Sequence, residues 1–212
     1  MYSPPYNHIR DRAEALAFMR ANNFAVLVAG DGAGEHALSA SHLPVLIEER
    51  SAVGGEGLVI VGHLAKSNPQ WEQFFDQEVM VVFQGAHAYI SPRWYAQTER
   101  VPTWNYAAVH AYGPVRGLAD REEKYDAVAK LVAAHDPDWL PAFQSLSATY
   151  MDGMLQAIVA FEINVTHLET RWKLSQNRGR DEQLRIAAAL DQSQDAAARS
   201  LATLTRAHLV KD

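Results

Sequence analysis

Three short segments between Gly62 and Tyr106 gather the side chains best equipped for chemistry. The first is Gly62-His63-Leu64-Ala65-Lys66-Ser67-Asn68-Pro69-Gln70-Trp71. The second is His87-Ala88-Tyr89-Ile90-Ser91-Pro92-Arg93-Trp94-Tyr95, and the third Val101-Pro102-Thr103-Trp104-Asn105-Tyr106. Core filling alone rarely collects so many imidazoles, amides and aromatic rings around prolines. Ring planes beside hydrogen-bonding groups suit a flat ligand with a polar edge, which needs both stacking and partners for its heteroatoms. A fourth segment, Lys173-Leu174-Ser175-Gln176-Asn177-Arg178, adds two cations and three neutral hydrogen-bonding side chains, a set that suits a phosphate or the polar rim of a heterocycle.

These segments must be positioned by the elements around them. Asp11 can cap a helix running to about Asn22, and Phe24 to Ala29 reads as a first strand. Gly30-Asp31-Gly32-Ala33-Gly34 then makes a hairpin turn, followed by a strand from about Leu38 to Ile47 interrupted at Pro44. Gly54-Gly55-Glu56-Gly57 turns the chain into Leu58–Val61. Asn68 can cap a short helix with Pro69 at its first position, ending near Phe75. Val79–Phe83, Ala88–Ser91 and a run from Trp104 to Leu118 read as strands. Asp120-Arg121-Glu122-Glu123 resembles a capping box and starts a helix to about His135. A helical stretch over roughly Pro141–Leu155 precedes a last strand, Ile158–Val165. Two amphipathic helices fit the residues from Asp181 onward, divided near Gln192-Ser193. Antiparallel strands with peripheral helices indicate an α+β protein on a closed or partly closed barrel.

Bulk properties narrow the classes. A chain of 212 residues fits one domain, or one domain with an appended segment, and 48% hydrophobic against 21% charged residues is ordinary for a globular chain. With no cysteine, disulfides, thiolate metal sites and thiol catalysis drop out. The net charge of −6 disfavours general affinity for nucleic acid, although residues 165–212 carry +2. The opening Met1-Tyr2-Ser3-Pro4-Pro5-Tyr6 lacks a basic region followed by an apolar core, so no signal peptide is expected, and no apolar run reaches membrane-spanning length. The glycines at 30–34 do not form a dinucleotide fingerprint, no Walker loop or nucleophile elbow is present, and the nine histidines show no metal-ligand spacing.

The ordered set Ser41-His42-Leu43-Pro44, Gly62-His63, Asn68-Pro69-Gln70-Trp71, Phe83-Gln84-Gly85, Ala88-Tyr89-Ile90-Ser91, Trp94-Tyr95, Val101–Tyr106 and Lys173–Arg178 resembles the PaiB family of FMN-binding negative transcriptional regulators. The resemblance covers nearly the whole chain. It implies a six-stranded Greek-key split β-barrel related to pyridoxamine-phosphate oxidases, with peripheral helices and a helical C-terminal tail. The division expected is an FMN-binding domain over 1–175 and a helical segment over 176–212. It further implies a homodimer with FMN in the groove between subunits, and a cytoplasmic location.

On that resemblance, thirteen residues are candidate cofactor contacts. His42 could donate to the FMN phosphate or ribityl chain, or be satisfied within its strand end. His63, Lys66 and Asn68 flank a helix start, whose free N–H groups suit an anion; an ordinary asparagine cap beside a solvated lysine is the plainer alternative. Tyr89 and Ser91 are candidates, although aromatics such as Tyr89 more often fill a core or a dimer interface. Thr103 and Asn105 could hydrogen-bond flavin edges with Trp104 packed nearby, or staple a wide hairpin. Lys173, Ser175, Gln176 and Arg178 complete the set, the alternative being a solvated connector. No metal site and no catalytic acid/base pair stands out.

Two functions follow from this reading. One is a flavin-binding regulator, contacting DNA through the arginines of the C-terminal helices or acting through a protein partner. The other is an FMN-dependent oxidoreductase on a small substrate. A pocket for another flat ligand, such as a deazaflavin, haem or tetrapyrrole, is a third.

Overall fold

The computed structural model describes residues 1–9, 11–30, 38–52, 55–75, 77–96 and 99–210. Eight strands are found among them: β1 (Phe24–Ala29), β2 (Ser39–Pro44), β3 (Leu46–Ala52), β4 (Gly55–Ala65), β5 (Glu78–Ile90), β6 (Thr103–Leu118), β7 (Ile158–Val165) and β8 (His167–Lys173). Hydrogen bonding orders them β2-β1-β5-β6-β7-β4-β3, with β8 paired to β6. Six α-helices accompany them: α1 (Arg12–Ala21), α2 (Arg121–His135), α3 (Leu140–Gln144), α4 (Ala148–Gln156), α5 (Arg180–Asp191) and α6 (Ala196–Ala207). The α+β class is as expected, and the strand count exceeds the six implied by the family.

The differences have local causes. Between β2 and β3, the Val45 N–H leaves the ladder and donates to the Asn23 carbonyl at 2.9 Å, so one expected strand becomes two. Val79–Phe83 and Ala88–Ser91 join into the single long β5. The stretch read as one helix over 141–155 breaks at Ser145, and Ser147 caps α4 by accepting from the Tyr150 N–H. Strand β8 follows β7 after Thr166 alone, whose N–H donates to the Tyr112 carbonyl at 2.9 Å. Asp11 does cap α1, accepting from the Ala13 N–H at 2.8 Å. The expected turn residues Asp31–Gly34 and Gly54 lie outside the described residues; Gly55 faces Ala52 across the β3–β4 register.

The chain divides into two compact units. Unit 1 holds Met1–Phe18, Gln84–Val109 and Glu169–Asp212; unit 2 holds Met19–Phe83 and His110–Leu168.

In unit 2, β4 alternates between two packed faces, as period-two geometry requires. Val59 and Val61 join Leu118, Ala127 and Ala160 in a cluster under α2. On the opposite face, Gly62 lets the ring of Phe161 and the side chain of Leu43 close in, where a Cβ would meet them at 3.1 and 3.3 Å. Phe74 stands edge-on to Phe161, with centroids 5.2 Å apart. At Gly113 the constraint is absolute, because a Cβ would lie 2.0 Å from the Asn164 carbonyl oxygen of β7. A separate apolar cluster ties α2, α3 and α4 together through Phe143, Met151 and Leu155. Glu162, nearly buried on β7, accepts from Arg50 at 2.6 Å and Arg116 at 2.8 Å.

In unit 1, Trp172 of β8 is buried against Phe18, with centroids 4.6 Å apart. Ile186, Leu190 and Leu201 bury the facing sides of α5 and α6, each such side chain contributing about 1.5–3 kcal/mol. Gln183 of α5 is fully enclosed. Its amide donates to the Leu174 and His208 carbonyls at 3.0 and 3.4 Å, while its oxygen accepts from the Val210 N–H at 2.9 Å.

Candidate functional site

Unit 1 brings together four of the candidates at a cleft of about 270 Å³ lined by Thr103, Lys173, Ser175 and Arg178, with Arg171, Asn7, Tyr2 and Tyr6 beside them. The cause is strand pairing. Strand β8 lies beside β6, and Arg171 and Lys173, two residues apart on β8, share one face. Lys173 donates from Nζ to Thr103 Oγ1 in a close contact. Burial, with Arg171 adding repulsion, holds the Lys173 ammonium below the ordinary lysine range. The Arg171 guanidinium lies over the Tyr106 ring at 5.3 Å and the Tyr2 ring at 5.6 Å, and that of Arg178 over Tyr95 at 4.9 Å.

The turn beyond β8 is held by polar side chains with no reach to spare. Ser175 takes a left-handed backbone, φ 63° and ψ 31°, which costs a non-glycine residue about 1–2 kcal/mol. Its hydroxyl is gripped by Asn105, whose Nδ2 donates to Oγ at 2.9 Å, both side chains being buried. Gln176 closes the same turn, accepting from the Leu174 N–H at 2.7 Å and donating to the Trp172 carbonyl. Asn105 and Gln176 therefore shape the cleft, while Thr103, Lys173, Ser175 and Arg178 line it. Ser91 likewise turns inward, accepting from the Arg93 N–H and Nε at 3.3 Å.

Tyr89 and Trp104 stand elsewhere in unit 1, edge to face at 6.2 Å, with His87 tilted against Trp104 at 6.3 Å. Tyr89 is 46% exposed and Trp104 54%, so the pair presents an aromatic surface that a ligand or partner can cover. They border a cavity of about 380 Å³ whose far wall is Ala189, Leu190 and Ala198 of the C-terminal helices.

Unit 2 holds the other four candidates and does not gather them into one cleft. Asn68 caps the 3-10 turn Pro69–Gln73, as expected, accepting from the Gln70 N–H at 3.0 Å. Its Nδ2 also donates to Ser41 Oγ of β2 at 2.8 Å. Buried Gln70 pins the turn to β1 and β2 by donating to the Leu27 and Ser39 carbonyls at 3.1 and 3.0 Å. His42 is exposed and stacks on Phe24 at 6.3 Å. His63, paired with Ala160 across β4 and β7, has its Nδ1 buried without a partner among the described residues, and burial lowers its pKa. Lys66 is exposed and lines a different cavity with Trp71 and Phe75.

Sequence reasoning missed Arg171, Asn7 and the two N-terminal tyrosines as cleft residues. A strand assignment for 167–173 would have found Arg171, through its two-residue offset from Lys173. Among the described residues no cluster of His, Asp and Glu is arranged to hold a metal ion.

A cleft rich in donors, on a β-sheet protein that presents exposed rings, defines a cofactor-binding class of protein. The chain belongs to the family described as "Putative FMN-binding domain", whose model matches residues 1–167. It is 32% identical over 214 residues to the protease synthase and sporulation protein PAI 2 of Bacillus subtilis, covering 100% of this chain and 99% of that one. An uncharacterized protein of Emericella nidulans is 25% identical over 206 residues, 80% of this chain and 81% of its own. In fold, the FAD and heme binding protein of Mycobacterium smegmatis matches with a TM-score of 0.60 at 14% identity, covering 86% of this chain and 80% of that one. The flavocytochrome Anf3 of Azotobacter vinelandii matches with 0.59 at 11% identity, over 79% and 69%.

FMN is the cofactor that this family membership assigns. The donor set of unit 1 fits it. Three cations and the Thr103 hydroxyl suit a phosphate. In residues lining the same cleft, Arg171 Nε and Asn7 Oδ1 are buried without partners among the described residues, leaving a donor and an acceptor to be matched by a ligand. No helix among the described residues is long and apolar enough to cross a membrane.

Proposed function

We propose that this chain is an FMN-binding regulator of gene expression of the PaiB type, acting as a cytoplasmic homodimer on a split β-barrel. The observation that carries the reading is the cationic cleft formed by Thr103, Arg171, Lys173, Ser175 and Arg178, in a chain alignable end to end with PAI 2. In this proposal Lys173, Arg171 and Arg178 hold the flavin phosphate, Thr103 supplies a hydroxyl, and Ser175, its own hydroxyl engaged with Asn105, lines the cleft against the cofactor. Tyr89 and Trp104, whose exposure calls for a cover, meet the ring or the second subunit. For unit 2 the same proposal assigns flavin contacts to His42, His63 and Asn68. The domain division of 1–175 and 176–212 belongs to it as well, the second segment being the regulatory surface. Bound FMN supplies reversible electron uptake; the residues of the chain bind, orient and shield it.

Among the tail arginines, Arg206 is paired with Asp191, and residues 165–212 together carry only +2, a weak attraction for DNA phosphates. Regulation through a protein partner therefore has the better support. A second reading, a flavin-dependent oxidoreductase, is favoured by the 380 Å³ cavity beside Tyr89 and Trp104, which could admit a small substrate.

The test is the visible spectrum of protein purified without added flavin, followed by reduced nicotinamide and by a promoter-fragment shift at moderate salt. A regulator gives flavin bands near one per chain and no turnover in air. Rapid bleaching with turnover supports the oxidoreductase. Colourless protein that takes up no added FMN refutes both.

A further inference from the structure

Unit 2 contains a cavity of about 440 Å³ that the flavin reading leaves unused. Its apolar walls include Trp71, Phe75, Leu118 and Ile158, and Lys66 and Lys124 line it as well. The volume falls within the range of small-molecule sites.

The aromatic walls are set in advance. The indole N–H of Trp71 donates to the Lys66 carbonyl at 2.9 Å, which fixes that ring. Phe75 stands edge-on to Phe74, centroids 5.0 Å apart and planes at 85°. Glycine at 117 gives it room, since a Cβ there would come within 3.1 Å of the Phe75 ring. The two rings sit 6.2 Å apart, both half-buried, so each keeps a face for a ligand. Such walls need no reordering on binding.

The charges do not cancel. Arg116 also lines the cavity but is matched by Glu162 and Glu123 at 2.8 and 2.9 Å. Among the described residues, Lys124 Nζ is partnered by the Leu155 carbonyl alone, at 3.5 Å, Asp152 of the neighbouring cavity is taken by Arg121 at 2.6 Å, and the Lys66 ammonium has no acidic partner. Two uncompensated ammonium groups beside apolar rings call for a ligand with a flat hydrophobic body and one negative charge.

We propose that this cavity binds a small aromatic organic anion, a carboxylate or sulfonate on a one- or two-ring body. The ring system packs on Trp71 and Phe75, and the acid group meets Lys66 and Lys124. The inference does not rest on the flavin assignment, and its test is run on protein saturated with FMN.

The probe is 8-anilinonaphthalene-1-sulfonate, with uncharged N-phenyl-1-naphthylamine as its control. One sulfonate probe is expected per chain, with blue-shifted emission and quenching of tryptophan fluorescence. Lys124→Glu should weaken the sulfonate about tenfold, the size of one lost charge-assisted contact, and leave the uncharged probe within about threefold. Ile158→Trp, which fills the cavity, should weaken both, while flavin stoichiometry stays unchanged in each variant. Lys124→Glu alters a solvent-reaching side chain, so it serves even if Ile158→Trp does not fold. Sulfonate binding indifferent to Lys124→Glu, or release of one FMN for each sulfonate probe taken up, would overturn the proposal.

Discussion

Replacing Lys173 by alanine should separate recognition of the phosphate from recognition of the ring. The Nζ of Lys173 is held by Thr103 Oγ1 in the cationic cleft, and its charged form is penalised by burial and by Arg171. A bound phosphate reverses that penalty. A hydrogen bond between charged groups contributes about 1.5–3 kcal/mol. Because Lys173 is only partly buried, the lower part of that range applies, and FMN affinity should fall about tenfold to thirtyfold. Riboflavin has the ring and ribityl chain without phosphate, so its affinity should change by less than about threefold. Titrating both ligands into flavin-stripped protein and following flavin fluorescence gives the two numbers directly. The pH dependence adds a second readout. The folded pKa of Lys173 lies below its unfolded value, so between the two the unfolded chain holds more protons, and flavin-free stability rises with pH in that window. FMN binding opposes this, so FMN affinity should decline on the alkaline side in the native protein, and this limb should vanish in Lys173→Ala. Equal weakening of FMN and riboflavin, or no weakening of either, would refute the phosphate assignment.

Other perturbations probe the frame. Gly113→Ala forces a Cβ to within 2.0 Å of the Asn164 carbonyl oxygen; strand displacement should cost about 3 kcal/mol or more, read as a shift in the denaturation midpoint. Glu162→Ala leaves Arg50 and Arg116 without their shared carboxylate; since both arginines are partly exposed, about 1–3 kcal/mol should be lost, against less than about 1 kcal/mol for Arg116→Ala. His63 is held neutral by burial, with its pKa below the unfolded value. The unfolded chain therefore takes up the extra proton first, and stability should fall as pH drops below about 6.5. A His63→Leu variant should show a shallower acid limb in urea titrations at pH 5 to 7.

Much of the frame could be read from local pattern. Asp11 and Asn68 cap where a short polar side chain before a helical run said they would, and α2 ends at His135. At Asp120 the expected box does not close: the Asp120 side chain makes no cap, and Glu123 accepts instead from Arg116 at 2.9 Å. Strand β8 escaped notice because His167, Glu169, Arg171 and Lys173 give one of its faces a wholly polar character, which resembles a linker in sequence. That one omission hid Arg171. The left-handed turn at Ser175 was equally illegible, since no glycine marks it and the Asn105 side chain that stabilises it lies 70 residues earlier. Residue types pointed to the cationic character of Lys173 and Arg178, whereas the joining of Lys173 to Thr103 arises from strand pairing that no local window contains. Lys66 and Asn68 show the converse: close in sequence, they serve different surroundings in the fold.

The enclosed amide of Gln183 has a practical corollary for anyone handling this protein. A single side chain ties the carbonyl just ahead of Ser175 to the backbone at His208 and Val210. A protease nick, an affinity handle or a fluorescent fusion that drags His208 and Val210 out of register would leave that amide unmatched in a closed interior, and the disturbance would reach the cationic cleft without touching it. Reporter and purification sequences are therefore better inserted in a solvent-facing loop than joined behind α6.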